Sequence, residues 1–242
     1  MRYIEKDPKN ALVREAKALL ASSATYDENP RVREIIRLLY GGCCVFCGSS
    51  VEEGSFYQIE HFYPKANSSY LKYEKDLENL HYSCQRCNFK KGRVLREKIF
   101  SPNYFLDSAK SWKLTLPEKL EREIYYVGHL AFSRNEKPGS VDRGAETITL
   151  FNLNNEDSSG KDHRAYLVER RLRHYNEVYR QVRALYDLLE FYHPSIDNAV
   201  NLLIENLMSY LQEDHPWSIM ILNNFGDDIL KLTRCYAALR AQ

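Results

Sequence analysis

Four cysteines fall into two C-x-x-C pairs, Cys44/Cys47 and Cys84/Cys87, separated by a long insert. This pattern constrains the fold more than any other feature, because each pair lets two sulfurs of one tight turn reach the same tetrahedral zinc at about 2.3 Å. Two pairs complete a four-thiolate shell with no open position, so a Zn²⁺ held there is structural. The insert is longer than that of a simple zinc ribbon, and a folded unit is expected inside it. Disulfides are the competing reading. They need an oxidising compartment, whereas MRYIEKDPKN lacks the apolar core of a signal peptide and no run is long enough to cross a membrane. A cytoplasmic, zinc-bound chain is therefore expected. A redox role is weaker, since two pairs would require two redox sites. Cys43 adjoins Cys44 as a rival ligand, but Cys44 has the right spacing to Cys47, and Cys235 reads as a buried small residue in an apolar helical pattern.

Between the pairs, Phe56 to Phe62 reads as a strand with Phe56, Gln58, Glu60 and Phe62 on one face and Tyr57, Ile59, His61 and Tyr63 on the other. Pro64 ends it. Adjacent Glu60 and His61 then point in different directions, which suits a site where one holds a metal and the other handles a proton. The chain returns through Asp76 to Leu80, and Cys84 to Gly92 reads as a knuckle leading into a helix. The implied unit is strand, loop, strand, helix. Six basic residues (Arg86, Lys90, Lys91, Arg93, Arg96 and Lys98) stand against the single acid Glu97 between positions 86 and 98, a local concentration suited to phosphates.

Taken together, Cys44-x-x-Cys47-Gly48, Glu60-His61-x-x-Pro64-Lys65, Asn79-Leu80 and Cys84-x-x-Cys87-Asn88-x-x-Lys91-Gly92 resemble an HNH endonuclease of the ββα-metal type. The family usually has Asp-His where this chain has Glu60-His61, and often a histidine where it has Asn88. The resemblance implies that neutral His61 takes a proton from water, as an imidazole can near neutrality. It implies that Glu60 and Asn88 hold a catalytic Mg²⁺ or Mn²⁺, the proposed ligands being oxygens. Asn79 is the family's middle residue, whose implied role is to hold the His61 loop through hydrogen bonds. Arg86, Lys90, Lys91 and Arg93 are the candidate nucleic-acid contacts. His81 is expected to be an inert strand residue.

A narrower resemblance rests on Ile59-Glu60-His61-Phe62-x-Pro64-Lys65, on Asn79-Leu80-x-x-Ser83-Cys84-x-x-Cys87-Asn88, and on Thr147-Ile148 and Asn152-Leu153-Asn154 ahead of a basic helix. These look like the HNH subunits beside ATPases in retron and Septu-type antiphage systems. They imply an SMC/ABC-like ATPase partner and, in the retron case, a reverse transcriptase with its nucleic acid. The alternative is a non-catalytic zinc module that binds nucleic acid or bridges proteins. Glu60 and His61 alone could be a surface pair, but such a module has no need of Glu60, His61, Asn79 and Asn88 together.

The remaining chain reads as mostly α around this small zinc-stabilised ββα core. The expected divisions are a helical segment 1–42, the core 43–100, a mixed connection 101–161 and a helical region 162–242. At 242 residues with 44% hydrophobic and 28% charged content, the composition describes a soluble globular protein, and a net charge of +1 requires any basic surface to be local. Asp7-Pro8 and Asn29-Pro30 each mark a helix start, and Gly41-Gly42 ends the second helix. Residues 123–132 look strand-like, 133–143 loop-like and 145–153 helical. The C-terminal region reads as three helices broken near His193-Pro194 and His215-Pro216. The first carries Arg164, Arg170, Arg171, Arg173, Arg180 and Arg183 among tyrosines, a surface that could grip a phosphate backbone or equally be a solvated helix face. From Ala184 to Leu230 there are eight acids and neither lysine nor arginine, which suits either protein docking or an ordinary packed bundle.

Overall fold

The computed structural model describes residues 4–22, 26, 29–51, 57–93, 99, 143–154, 165–212 and 215–241. The strand-like stretch 123–132, the loop over 133–142 and the basic residues Arg96, Lys98 and Arg164 lie outside the described residues.

Helix α1 (Ala11–Ser22) starts later than Asp7-Pro8 suggests. Asp7 instead closes a turn, accepting from the Lys9 amide at 2.8 Å, and Asn10 accepts from the Leu12 amide at 2.9 Å at the helix start. An Asp side chain bonds its own backbone two residues on as readily as it caps a helix. Helix α2 (Pro30–Leu39) begins as expected, with Asn29 accepting from the Arg31 amide at 3.1 Å and Pro30 at the first position. Val32, Ile35 and Ile36 of α2 share a core with Val13, Ala16 and Leu20 of α1. Gly41 and Gly42, at φ 54° and 66°, then turn the chain toward the first cysteine pair.

Strands β1 (Tyr57–His61) and β2 (Leu80–Cys84) pair antiparallel, with Glu60 opposite His81 and His61 opposite Leu80. Helix α3 (Gln85–Lys91) follows β2 without a linker, and the Cys84 sulfur accepts from the Cys87 amide at 3.5 Å at its N-terminus. The result is a ββα unit inside a mostly helical protein. The first knuckle is tied to it by the Val45 amide donating to the Tyr82 carbonyl at 2.9 Å.

Four further helices complete the described fold: α4 (Arg143–Phe151), α5 (Ala165–Glu190), α6 (Asp197–Ser209) and α7 (Ser218–Arg240). Breaks fall at His193-Pro194 and His215-Pro216, where the prolines deny the helix a donor. No helix among the described residues is long and apolar enough to cross a membrane. Two apolar cores result. One joins α1, α2, the knuckle and the hairpin to Phe151, Leu153 and Leu167, with Phe46 stacked on Phe151 at 4.4 Å between ring centroids. The other fills the space between α5, α6 and α7.

Two sequence expectations change here. Arg171, grouped with the phosphate-gripping arginines of α5, is buried and donates to the Leu153 carbonyl and to Asn154 Oδ1, the latter at 3.3 Å. A buried guanidinium needs acceptors, and the end of α4 supplies them. Cys235 is exposed rather than buried, because the helical period of α7 turns Leu232 and Tyr236 inward instead.

Trp217 bridges the two cores. Its indole Nε1 donates to the Cys47 carbonyl at 3.0 Å and its backbone amide to the Gly48 carbonyl at 3.3 Å. Trp217 holds a left-handed φ of 53°, and Gly48, at φ 73°, has no room for a larger residue: a Cβ there would meet the indole at 3.0 Å. Replacing Trp217 by alanine removes a buried aromatic and orphans the Cys47 carbonyl. The expected loss is about 3–5 kcal/mol of unfolding free energy, measured by urea denaturation.

Candidate metal centre and catalytic cleft

The four sulfurs of Cys44, Cys47, Cys84 and Cys87 all lie within 4.8 Å of one another. Sulfurs about 2.3 Å from a common tetrahedral zinc fit that spread. Ser49 Oγ lies 3.0 Å from Cys47 Sγ and can donate to that sulfur, whereas Ser83 Oγ, 3.9 Å from Cys44 Sγ, gives its hydrogen to the Cys84 carbonyl at 3.1 Å. Burial pushes the Cys87 thiol well up, whereas hydrogen bonds from Cys44, Cys84 and Cys87 pull Cys47 well down. Four thiolates packed this closely repel one another, and a divalent cation is the group that lets them share the space. Cys43 bridges to Ser50 and takes no place in the cluster.

A cleft of about 530 Å³ opens beside this shell, lined by Glu60, His61 and Asn88 together with Tyr26, Gln58, Arg33, Lys65 and Arg93. The pleat of β1 sends Gln58 and Glu60 toward α3 and His61 toward Tyr26, whose ring centroid is 5.2 Å from the imidazole. Three of the sequence-derived residues, Glu60, His61 and Asn88, thus meet at one cleft, while Asn79 sits behind it.

His61 Nε2 lies 3.0 Å from the Glu74 carbonyl. A carbonyl only accepts, so Nε2 carries the hydrogen and Nδ1 keeps its lone pair. Burial holds the imidazole below its ordinary pKa, so the neutral form persists to lower pH than for a free histidine. Asn79 fixes the segment that makes this arrangement. Its Oδ1 accepts from the Tyr63 amide at 2.7 Å, its Nδ2 donates to the Tyr63 and Tyr73 carbonyls at 3.2 and 3.0 Å, and its own carbonyl accepts from the Phe62 amide at 3.1 Å. One side chain therefore ties the exit of β1 to the stretch carrying Glu74.

Asn88 Nδ2 donates to Gln58 Oε1. With its nitrogen committed, the amide presents Oδ1 as its remaining polar group, an oxygen donor suited to Mg²⁺ or Mn²⁺. Glu60 lines the same cleft and carries a second hard oxygen donor. Burial raises the Glu60 carboxyl pKa, and the charge of Lys91 opposes that rise.

Lys91 is the main departure from the sequence expectation. Grouped with the phosphate contacts, it is instead fully buried, ion-paired to Glu60 and donating to the His61 carbonyl at 2.8 Å. At the C-terminal end of a short helix packed on the hairpin, its stem has only the interior to enter. Of the other candidates, Arg93 is exposed and lines the cleft, Arg86 is exposed and lies 5.4 Å from the ring centroid of Tyr166, and Lys90 is half-buried.

Sequence reasoning passed over Gln58, Arg33, Lys6 and the polar role of His81. Gln58 was detectable as a polar residue two before Glu60 on one strand face. Arg33 of α2 and Lys6 are remote in sequence and left no local signal. Lys6 is buried, donates to the Leu77 carbonyl and, at 2.9 Å, to the Leu80 carbonyl, and burial lowers its pKa to about 8. His81 is fully buried with Nδ1 2.6 Å from the Tyr40 hydroxyl, so it is a bonded core residue rather than an inert one.

Two outcomes test this geometry. Lys91→Met leaves a buried carboxylate unpaired and should cost about 3–5 kcal/mol at neutral pH. Adding Glu60→Gln should recover part of that loss in urea denaturation. Chelating zinc should unfold the hairpin cooperatively, read as a lowered melting temperature that returns on zinc addition.

Comparison with known proteins finds no curated protein and no solved structure that matches the chain. Residues 44–93 do match the family model described as HNH endonuclease. That span begins at the first zinc-ligand candidate and ends just past α3, so the cysteine shell and the ββα unit are the part of this longer, mostly helical chain that is similar to HNH endonucleases.

Proposed function

We propose that this protein is a metal-dependent endonuclease that hydrolyses nucleic-acid phosphodiester bonds, with DNA the first candidate substrate and RNA the second. The observation that carries the reading is the orientation of His61. Its Nε2–H is held by the Glu74 carbonyl, which leaves the lone pair on Nδ1 to serve as the base in a residue that lines the cleft. His61 takes a proton from a water molecule, and that water attacks phosphorus. Mg²⁺ or Mn²⁺ held by the oxygens of Glu60 and Asn88 would supply Lewis-acid stabilisation of the leaving 3′ oxygen. Gln58 keeps the Asn88 amide turned the right way, and Lys91 keeps Glu60 and the His61 backbone in register. Arg33, Lys65 and Arg93 around the cleft attract the substrate backbone. The phosphate is the group addressed, so sequence selectivity must come from elsewhere.

A finer reading rests on the narrower resemblance alone. It makes the protein a cytoplasmic effector of antiphage defence, restrained or activated by an SMC/ABC-like ATPase and, in a retron, accompanied by a reverse transcriptase. Assays with and without an ATPase encoded beside it address this directly.

Zinc-replete protein incubated with plasmid DNA or total RNA in Mg²⁺ or Mn²⁺ should cleave one pool, and His61→Ala should reduce cleavage by about 10²-fold or more. Binding without cleavage under every condition would instead indicate a non-catalytic zinc module. The pH profile carries a sign. The base must be neutral, and its pKa is held down, so the cleavage rate should rise through a midpoint below about 6.5 and then stay flat toward pH 8. A midpoint above that value would show that another group is the base.

A further inference from the structure

Phe89 follows Asn88 directly in α3, and 84% of its surface is exposed. The helix separates the neighbouring side chains by about 100° per residue: Cys87 and Lys91 enter the core, Asn88 turns to Gln58, and Phe89 leaves on the outside. A single exposed apolar residue is ordinary on a protein surface. Its setting here is not. The stretch Gln85 to Arg93 contains no acid and carries Arg86, Lys90 and Arg93 within four residues of Phe89 along the chain. A protein partner docking through an apolar patch would find cations instead of further apolar area. A polyanion whose subunits carry flat aromatic faces matches both parts of this surface.

We propose that Phe89 stacks on a nucleobase next to the scissile phosphate, so that the protein selects substrates whose base at that position is unpaired or readily unstacked. The inference rests on the phosphodiesterase reading of the cleft. Adjacent Cα atoms are about 3.8 Å apart, so Phe89 adjoins the cleft-lining residue Asn88 along the helix while its side chain leaves on the exposed face. Stacking of a base on an aromatic side chain is tolerant of sequence. An apolar wedge also lowers the cost of opening a base step.

The test uses the full zinc-loaded chain in a His61→Ala background, which permits binding without cleavage. Single-stranded and duplex oligonucleotides containing 2-aminopurine serve as probes. Phe89→Ala should bind the single strand roughly fivefold to a hundredfold more weakly and lose the 2-aminopurine quenching, whereas Phe89→Trp should keep both. Being exposed, the site should tolerate both changes without a shift in melting temperature. Unchanged affinity in Phe89→Ala overturns the proposal. So does equal binding by Phe89→Leu, which keeps apolar bulk without a π face, or self-association that depends on Phe89 while nucleic-acid affinity does not. With His61 restored, cleavage that needs His61 but not Phe89 also overturns it and leaves the nuclease reading standing. Phe89-dependent binding without any cleavage does the reverse.

Discussion

Four sulfurs confined to one small volume join two segments of chain that are remote in sequence, and the rest of the domain hangs on that junction. A hairpin of two five-residue strands is marginal in water without further support. Here the strands are held from both ends. Cys84 closes β2 and opens α3 in the same residue, while the Val45 amide fastens the other knuckle to Tyr82 in the middle of β2. A metal held by the cluster would convert its affinity into folding free energy, as expected where no preformed site exists in the unfolded chain.

The cleft depends on charges buried with their partners. Removing one member of a buried ion pair costs about 3–5 kcal/mol, against about 1 kcal/mol for an ordinary hydrogen bond. Lys91 therefore matters more for where it holds Glu60 and His61 than for any net stability it adds. Because Lys91 touches the carboxylate of one and the carbonyl of the other, the two adjacent residues are set by a single helix position. Lys6 acts alike on the far side, binding the carbonyls that flank Asn79. The site is thus pre-positioned by interior cations, and the cations free to meet substrate, such as Arg93, stand at the rim.

Much of this was legible in the sequence because metal ligation and strand alternation are local rules. Spacing selected Cys44 over Cys43, and the period of two separated Glu60 from His61. Asn29-Pro30 and the two His-Pro breaks marked helix ends through chemistry that acts within a residue or two. The misreadings share a different cause. Lys91 and Arg171 were placed by residue type and Cys235 by the apolar character of its segment, whereas their burial is decided by which helix face meets a neighbour. Composition near Lys91 resembles that near Arg93, yet one ammonium is sealed in and the other cation is open to the cleft. Gln58 and Arg33 acquire meaning only once α3 and α2 are packed against the hairpin.

Trp217 gives the two cores a common fate. Its indole hydrogen-bonds the carbonyl of a zinc-ligand candidate, and its backbone meets the next residue, so the helical bundle rests on the knuckle itself. Linkage is reciprocal: if metal occupancy favours the knuckle conformation that receives the indole, then docking of the bundle must raise metal affinity by the same factor. A ligand that pried Trp217 away from Gly48 would loosen a metal held by the knuckle without touching a sulfur, and that metal would report from a distance on whatever grips the helix that Trp217 precedes.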